Sequence, residues 1–333
     1  MPDFKERLND LLSQKKETGE VEQLTPDAST REYFRIAWNG KSAIACVYPE
    51  PFVAAEQSYL DVTSLFLNNG LPVAQLYDFN ESLGVIIQED LGDAILRDVL
   101  ESAGRDRREE MIDDAIGLIA RIQLATADAF RVDSIASRLK FDVKKLLWEL
   151  NFFREHYFET LKGRPLSDDD NHALDKEFLE LCRELESRAS VLCHRDFHAA
   201  NLMVDTSDHL RIIDHQDARL GPASYDLVSL LLDRVTELPP SEWLAEKRRL
   251  LIELRIKLGL THLDETDFTY EFWLQAIQRC LKATGTFSFQ SANRGKTYFI
   301  PFIEPMFRIV LLAAENLDRF PTLRYIVRRE ISV

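Results

Sequence analysis

One polar stretch in the second half of the chain holds the residue types that phosphoryl transfer requires. In order, it contains His194, Arg195, Asp196, Asn201 and, after an apolar run, Asp214. Moving a phosphoryl group to a hydroxyl needs one carboxylate near the hydroxyl proton, and hard oxygen ligands that hold magnesium on the phosphates. Asp196 fits the first role, and Asn201 and Asp214 fit the second. The sequence therefore predicts a phosphoryl-transfer site.

Short apolar runs flank this stretch and predict how it is held. Val191 to Cys193 and Leu202 to Val204 are expected to form two buried strands, and Leu210 to Ile213 a third that ends at Asp214. The polar residues between the first two strands then lie on a loop that is fixed at both ends. A lone aspartate in a turn more often caps backbone amides, so the combination of residues is what favours catalysis.

The same residues carry a family resemblance. Segments 193–201, 213–218 and 221–227 resemble the aminoglycoside phosphotransferase and choline kinase family, which has the protein-kinase-like fold. Within that family, Ile-Asp-x-Gln-Asp-Ala and Gly-Pro-x-x-Tyr-Asp-Leu-Val-Ser-Leu are most similar to the anomeric kinases of N-acetylmuramate and N-acetylglucosamine. The resemblance implies an α+β, bilobal fold. A small N-terminal antiparallel β-lobe would span residues 1–92, and a larger, mainly helical C-terminal lobe would span residues 93–333.

The resemblance also implies cofactors, an acceptor and further residue roles. ATP and magnesium are the expected cofactors, and the acceptor is expected to be the anomeric hydroxyl of an amino sugar, as in cell-wall sugar recycling. Aminoglycosides, choline and homoserine stay open as acceptors. His194 is expected to brace the catalytic loop beside Asp196, and Asp226 to hold that loop through backbone hydrogen bonds.

The N-terminal part is expected to bind the nucleotide. Tyr33 to Trp38 and Ser42 to Tyr48 predict a β-hairpin, because the intervening Asn39-Gly40 supplies the positive φ angles of a type I′ turn. Residues 43–48 contain no lysine, although kinases usually place one there to reach the phosphates. A cation from elsewhere is therefore expected, with Arg31 as the first candidate and Arg35 as the reserve.

Other nucleotide contacts are expected from position along the chain. By the resemblance, the turn before the hairpin covers the phosphates, and a predicted helix from Val53 to Leu67 carries Glu56 near them, although an exposed glutamate is often only solvated. The hinge between the lobes is expected after residue 88, where main-chain groups would meet the adenine edge. The candidates are Ser29, Thr30, Arg31, Glu56, Gln88, Asp90 and Leu91.

Helical periodicity dominates the chain after residue 107. The acidic end of the loop 163–170 is expected to cap a helix that runs to about Arg188. A later helix, from Phe268 to Ala283, is expected to stop before Gly285. By the resemblance, the loop that follows would lie near the acceptor pocket.

Composition limits the class of protein. The chain has 333 residues and a net charge of −15, which disfavours nucleic acid or an anionic membrane as a partner. Charged residues begin at Asp3, and the longest apolar run, Ile309 to Ala314, is too short to span a bilayer. The four cysteines are widely spaced, as is typical of reduced thiols. The sequence predicts a soluble cytoplasmic protein.

Two alternatives belong to other classes. The missing lysine motivates a pseudokinase that binds nucleotide or partners without turnover, but a binding scaffold would not need the complete set of Asp196, Asn201 and Asp214.

A transition-metal site could instead be built from histidines. His194 and His198 have a four-residue spacing, but the glutamate and the helical periodicity of a zincin are missing between them. The other members of that set are His209 and His215.

Overall fold

A computed structural model describes residues 3–24 and 30–331. The chain divides into two compact units, one of Met1–Arg108 with Ala199–Asp217 and one of Glu109–His198 with Ala218–Val333. The first contains an antiparallel sheet and the second is mainly helical, which confirms the predicted fold class. These units are defined by compactness, and the predicted lobe boundary after residue 92 stays a prediction.

Five antiparallel strands form the sheet of the first unit, in the order β1-β2-β3-β5-β4. They are β1 (Glu22–Leu24), β2 (Glu32–Trp38), β3 (Lys41–Val47), β4 (Leu76–Asn80) and β5 (Val85–Glu89). Asn39 and Gly40 join β2 to β3 with φ angles of 48° and 74°. Trp38 pairs directly with Lys41 across this turn, so the predicted hairpin is confirmed.

The first helix, α1 (Phe4–Lys15), covers one face of this sheet. Its Leu8 and Leu11 are fully buried in the same core as Phe34 and Ile36 of β2. Side chains alternate along a strand, so the neighbours of Phe34 and Ile36 in β2 point to the opposite face of the sheet. That second face carries the aromatic and cationic residues of the candidate site.

The apolar pattern from Val73 to Tyr77 predicts a strand, but β4 begins only at Leu76. Val73 makes only an isolated parallel bridge to Ile212. Its carbonyl accepts a hydrogen bond from Arg211 Nη2 at 3.1 Å, and the carbonyl of Pro72 accepts one from the Ile212 N–H at 2.9 Å. The apolar stretch around Val73 is therefore bound to segment 199–217 instead of extending the sheet.

The second helix also begins later than predicted. A 3₁₀ turn, Ala54–Glu56, comes first, and α2 (Ser58–Asn68) follows. Gln57 separates them, because its backbone is extended and its side chain accepts a hydrogen bond from the Tyr59 N–H. Glu56 therefore lies on the 3₁₀ turn and not on the α-helix. The helix ends at Asn68, one residue after the predicted end at Leu67.

The remaining α-helices lie before and after two short strand pairs in the chain. The helices are α3 (Leu96–Ser102), α4 (Arg105–Leu124), α5 (Thr126–Arg131), α6 (Ile135–Arg138), α7 (Val143–Arg154), α8 (Asp168–Arg188), α9 (Tyr225–Leu232), α10 (Ser241–Lys257), α11 (Glu265–Arg294), α12 (Ile303–Leu317) and α13 (Pro321–Arg328). In the second unit β6 (Val191–Cys193) pairs with β9 (Arg219–Gly221), and in the first β7 (Leu202–Val204) pairs with β8 (Leu210–Ile212). α8 ends at Arg188 as predicted, and Ser167 is its side-chain cap.

Helix α11 is 30 residues long and continues through the position where a loop was predicted. Gly285 lies within it. A Cβ atom at this glycine would lie 2.7 Å from the Cα atom of Phe153, which is on α7. Gly285 therefore permits close contact between two helices, and the prediction that it ends the helix is wrong.

By length and composition alone, the helical stretch Thr297–Leu317 could cross a membrane. In the second unit, its α12 portion packs along α11, and Met306, Phe307 and Val310 are fully buried. The core helix of a soluble protein passes the same test of length and composition. The stretch is therefore weak evidence for a membrane span.

Candidate active site

The predicted catalytic loop begins with a sharp turn directly after β6. Arg195 has a φ angle of 90°, a region that residues other than glycine rarely adopt. The buried carboxylate of Asp226 holds this turn, because it accepts hydrogen bonds from the N–H of His194 at 2.7 Å and from the N–H of Arg195 at 3.1 Å. The predicted role of Asp226 as the residue that holds the loop is confirmed.

Asp226 lies in the first turn of α9 and is fully buried. Burial raises the pKa of this carboxyl to about 6, although His194 and the two backbone N–H donors favour its ionised form. Both oxygens of an ionised carboxylate accept hydrogen bonds well. In a protonated carboxyl one oxygen carries a hydrogen and is a weaker acceptor. The shape of the catalytic loop is therefore linked to the charge of Asp226.

Asp196 follows this turn and is surrounded by cations. Its Oδ1 atom accepts a hydrogen bond from Lys282 Nζ at 3.0 Å, and its Oδ2 atom lies 3.0 Å from Arg195 Nη1. Arg279 Nη2 is 3.8 Å from Oδ1. Burial would raise the pKa of Asp196, but these three cations outweigh it and hold the pKa well below its usual range. Asp196 is therefore ionised at neutral pH.

A second carboxylate, Asp233, extends this group. Arg279 Nη2 lies 3.8 Å from Asp233, and the same guanidinium donates to Ser229 Oγ. Arg234 Nε is 3.6 Å from Asp233. We call the ion-paired set the Asp196 cluster, which consists of Asp196, Asp233, Arg195, Arg234, Arg279 and Lys282. In this set, four cations accompany two carboxylates.

Two histidines lie in the same segment. His194 is fully buried, and its ring packs edge-on against Phe197 at 5.6 Å between centroids. Its predicted part in catalysis stays a prediction. His198 is partly exposed, and burial lowers its pKa, so it is expected to be neutral at pH 7.

The first unit brings Asn201 and Asp214 together. Asn201 precedes β7 and Asp214 closely follows β8, and the pairing of these strands is extended by a bond from the Ile213 N–H to the Asn201 carbonyl at 3.1 Å. Asn201 Nδ2 lies 3.4 Å from Asp214 Oδ2. Gln216 Nε2 donates to Asp214 Oδ1 at 2.8 Å. The two predicted metal ligands are thus neighbours.

Their chemistry fits magnesium. A carboxylate and an amide oxygen are hard donors, and magnesium usually keeps several waters besides. The side chain of Asp214 is 45% exposed, which leaves room for water and phosphate oxygens. Asn201 turns its amide nitrogen toward Asp214, and half a rotation of the nearly symmetric amide would present its oxygen instead.

Arg31 lies beside the same carboxylate. Its Nη2 atom is 3.9 Å from Asp214 Oδ1. The guanidinium is held over the rings of Tyr33 and Tyr48, at 5.8 and 5.5 Å from their centroids. Its side chain is 17% exposed, and such a restrained cation is well suited to an anionic ligand.

Arg35, the reserve candidate, has other partners. Its Nε atom donates to Asp90 at 2.8 Å, and its Nη2 atom donates to Asp93 at 2.7 Å. Of the two arginines, the structure therefore brings Arg31 to the predicted magnesium ligand, whereas Arg35 holds the segment after β5.

The predicted hinge residues are held by their side chains. Gln88 Oε1 accepts a hydrogen bond from Tyr59 Oη at 2.5 Å. The carboxylate of Asp90 accepts from Arg35, from Ser42 Oγ at 2.5 Å and from the Gly92 N–H at 3.0 Å. With the carboxylate so occupied, a nucleotide contact at this position is expected from the main chain. Leu91 is partly exposed.

Two other predicted nucleotide-binding residues lie on the surface of the first unit. Thr30 is exposed, and Glu56 is exposed on its 3₁₀ turn. Ser29 lies outside the described residues. Their roles stay predictions.

Comparison with known proteins identifies the family. Residues 20–269 match the model of the phosphotransferase enzyme family. This chain belongs to that family. A relative from Neisseria meningitidis, named N-acetylmuramate/N-acetylglucosamine kinase, is 29% identical over 287 residues, which cover 83% of this chain and 80% of the relative. The predicted family resemblance is confirmed, and the chain is a phosphotransferase that acts on a hydroxyl-bearing small molecule.

Solved structures share the fold of this phosphotransferase. A microcompartment-associated aminopropanol kinase matches with a TM-score of 0.62 and 16% identity, over 93% of this chain and 97% of that one. An aminoglycoside phosphotransferase in a ternary complex with streptomycin and ATP matches with a TM-score of 0.58 and 14% identity, over 90% and 97% of the two chains. At such identities the likeness shows the fold alone.

The structure of the phosphotransferase reveals contacts that were missed in the sequence. His215, directly after Asp214, is buried, and its Nε2 atom lies 2.7 Å from Thr63 Oγ1 on α2. Its ring stacks against Phe66 at 5.4 Å. A polar Thr63 on an otherwise apolar helix face was the available signal. Lys282 was also missed as a partner of Asp196, because its helix was expected to end nearby.

The four histidines of the transition-metal alternative lie in different surroundings. His194 and His215 are buried in different units, and His209 is exposed. Within residues 3–24 and 30–331 of the phosphotransferase, no three His, Cys, Asp or Glu side chains are grouped closely enough to hold a metal ion.

Proposed function

We propose that this phosphotransferase moves the γ-phosphoryl group of ATP to the anomeric hydroxyl of an amino sugar, N-acetylmuramate or N-acetylglucosamine. The Asp196 cluster carries this proposal, because it surrounds an ionised carboxylate with more cations than anions. The name of the Neisseria relative supports the choice of acceptor, and the ternary complex described above supports ATP as the donor.

The charge of the cluster favours a sugar over a cationic acceptor. Four cations against two carboxylates would repel a polycationic aminoglycoside or the quaternary ammonium of choline. N-acetylglucosamine is neutral and N-acetylmuramate carries a carboxylate, so neither meets this repulsion. The surplus positive charge also suits the anionic phosphoryl group that passes to the acceptor.

The weak basicity of Asp196 favours the anomeric position. Three cations hold the pKa of this carboxyl well below its usual range, against the effect of burial, so the carboxylate is a poor proton acceptor. The anomeric hydroxyl is the most acidic hydroxyl of a sugar, because the ring oxygen withdraws electrons from its carbon. A weakly basic carboxylate can therefore accept the proton of the anomeric hydroxyl more easily than that of the less acidic, primary 6-hydroxyl.

Asp196 acts on the acceptor in one balanced step. Its carboxylate accepts a hydrogen bond from the hydroxyl and orients one oxygen lone pair toward the γ-phosphorus. As the new O–P bond forms, the bond from phosphorus to the bridging oxygen breaks, and ADP leaves with that electron pair. The hydroxyl proton passes to Asp196 late in the step, once the oxygen has lost electron density, and then to water.

Asn201 and Asp214 are the proposed magnesium ligands, and Arg31 adds a fixed positive charge beside them. Magnesium held by these two residues would offset the negative charge of the phosphates. The segment from Gln88 to Leu91 is proposed to meet the adenine through main-chain groups, and Ser29 and Thr30 to contact the phosphates.

The proposed compartment is the cytoplasm, where ATP is abundant and thiols stay reduced. All four cysteines are buried free thiols. The proposed partner is a small hydroxyl compound, with neither nucleic acid nor membrane involved.

A panel assay with the purified protein tests this function. ATP and magnesium are supplied with N-acetylmuramate, N-acetylglucosamine, an aminoglycoside, choline and homoserine, and phosphorus-coupled NMR locates the phosphate on the product. We expect turnover of the two sugars and a phosphate on the anomeric carbon. A 6-phosphate would refute the anomeric assignment, and turnover of an aminoglycoside without turnover of the sugars would refute the acceptor class.

A further inference from the structure

Helix α11 directs two cations at Asp196. Arg279 and Lys282 are three residues apart, so they lie on one face of the helix. Lys282 makes the shorter contact, 3.0 Å from Nζ to Asp196 Oδ1, against 3.8 Å for Arg279. Its side chain is only 13% exposed, so its ammonium group has little water around it.

A buried lysine is costly unless its charge is compensated. Charge balance in the fold does not require Lys282, because Arg195 and Arg279 already face Asp196. What Lys282 adds is a direct hydrogen bond to one carboxylate oxygen. Arg195 lies beside the other oxygen, so the two cations hold the carboxylate from both ends.

We propose that Lys282 is a positioning residue, which fixes the orientation of the Asp196 carboxylate toward the acceptor hydroxyl. The inference rests on the proposed function, in which Asp196 accepts the hydrogen bond of that hydroxyl. Each carboxylate oxygen has two lone-pair directions, so an oxygen that accepts from Lys282 can still accept from a substrate. Without Lys282, the carboxylate can turn toward Arg279, and reactive alignment is lost.

A positioning residue of Asp196 has a kinetic signature. Misplacing a catalytic group by about 1 Å lowers turnover by roughly a hundredfold. We expect Lys282→Met to lower kcat about ten- to a hundredfold for both sugars alike, with the KM for ATP near that of wild type. Lys282→Arg, which keeps the charge and a donor, should recover most of this loss. Lys257→Met, at an exposed lysine of α10, is the matched control.

The double variant separates positioning from an independent effect. If Lys282 acts through Asp196, then Asp196→Asn/Lys282→Met should be no slower than Asp196→Asn alone, because residues that act as a unit are not additive. Losses that multiply in the double variant would overturn the proposal. So would a Lys282→Met variant within twofold of wild type.

Two further outcomes keep the interpretation clear. Thermal melting and ATP binding of each variant are measured beside kcat, and a Lys282→Met variant that melts at the wild-type temperature but turns over slowly supports positioning. A loss of ATP binding together with turnover, at an unchanged melting temperature, would overturn it, because a residue that only positions Asp196 leaves nucleotide binding intact. If Asp196→Asn keeps wild-type activity, then the proposed function itself fails, independently of Lys282.

Discussion

Thr63 Oγ1 and His215 Nε2 lie 2.7 Å apart, and this contact ties helix α2 to the residue after Asp214. The hydroxyl hydrogen of Thr63 goes to the carbonyl of Tyr59, at 2.5 Å. The Thr63 oxygen is therefore the acceptor, and His215 Nε2 carries the hydrogen. Asp214 itself has a positive φ of 59°, which residues other than glycine rarely adopt, so this backbone conformation depends on the contacts of the residues around it.

Replacing Thr63 by valine should disturb that arrangement without changing volume. Loss of the buried acceptor should lower the free energy of unfolding by about 1–3 kcal/mol. The apparent magnesium requirement should rise severalfold, while the KM for the sugar stays the same. Thr63→Ser keeps the hydroxyl and is the control. Equal magnesium titrations for the valine and serine variants would refute a link from α2 to Asp214.

Asp196→Asn removes the carboxylate and keeps its shape. We expect ATP affinity near wild type and turnover lower by about two to four decades, the usual range for general acid-base groups. Single-turnover kinetics and ATP titration measure the two quantities separately. Activity within a few-fold of wild type would show that Asp196 is not the residue that accepts the hydroxyl proton.

Asp214→Ala and Asn201→Ala should both raise the magnesium concentration needed for half-maximal activity. The larger effect is expected at Asp214, because this change removes a formal charge as well as a ligand. Magnesium titration of ATP binding gives the measurement, and Asp217→Ala is a nearby comparison. Unchanged titrations in both variants would count against the assignment of these ligands.

Arg31→Ala should raise the KM for ATP and lower turnover, with the KM for the sugar little changed, because the guanidinium lies beside Asp214. Arg35→Ala should mainly lower stability, since its partners are Asp90 and Asp93. The exposed Lys41→Ala is the control. If Arg31→Ala behaves like Lys41→Ala, backbone amides and magnesium are the remaining phosphate anchors.

The charge of Asp226 predicts opposite trends for activity and stability. Burial raises its pKa to about 6 in the folded chain, against roughly 3.9 when unfolded. The contribution of this group to stability is therefore fully present below about pH 3.9 and is lost as pH rises through about 6. Activity should do the reverse and fall below about pH 6, because the protonated carboxyl holds His194 and Arg195 less well.

This prediction is tested by profiles of kcat and melting temperature between roughly pH 4.5 and 8, which extend about two units to either side of that pKa. Asp226→Asn should be slow and should lose the acidic decline in kcat. An acidic decline that persists unchanged in the asparagine variant would assign it to another group. Asp196 is not expected to cause it, because its pKa lies well below its usual range.

Local patterns predicted the catalytic loop and the hairpin. The catalytic loop could be predicted because short apolar strands flank Asp196, Asn201 and Asp214 in a fixed order. The hairpin could be predicted because a type I′ turn favours Asn39-Gly40. The holding role of Asp226 came from family resemblance. Each of these features depends on neighbours in the sequence or on a shared motif.

Tertiary contacts explain what the sequence did not reveal. Gly285 has the same sequence signal whether it ends a helix or permits a close contact, and only the position of Phe153 decides between them. Val73 is apolar like a sheet residue, yet it is bound to Ile212. The pairs Thr63 with His215 and Lys282 with Asp196 are separated by 152 and 86 residues, beyond the reach of any local pattern.

The contact between Gly285 and Phe153 has a consequence for how acceptor preference can change. Gly285 lies three residues after Lys282, so the contact that fixes the rotation of α11 is on the turn next to the cation. A larger residue at position 285 would push α11 away from α7 and move Lys282 away from Asp196, although the new side chain would contact neither Lys282 nor Asp196. We therefore expect laboratory evolution toward new acceptors to leave position 285 unchanged.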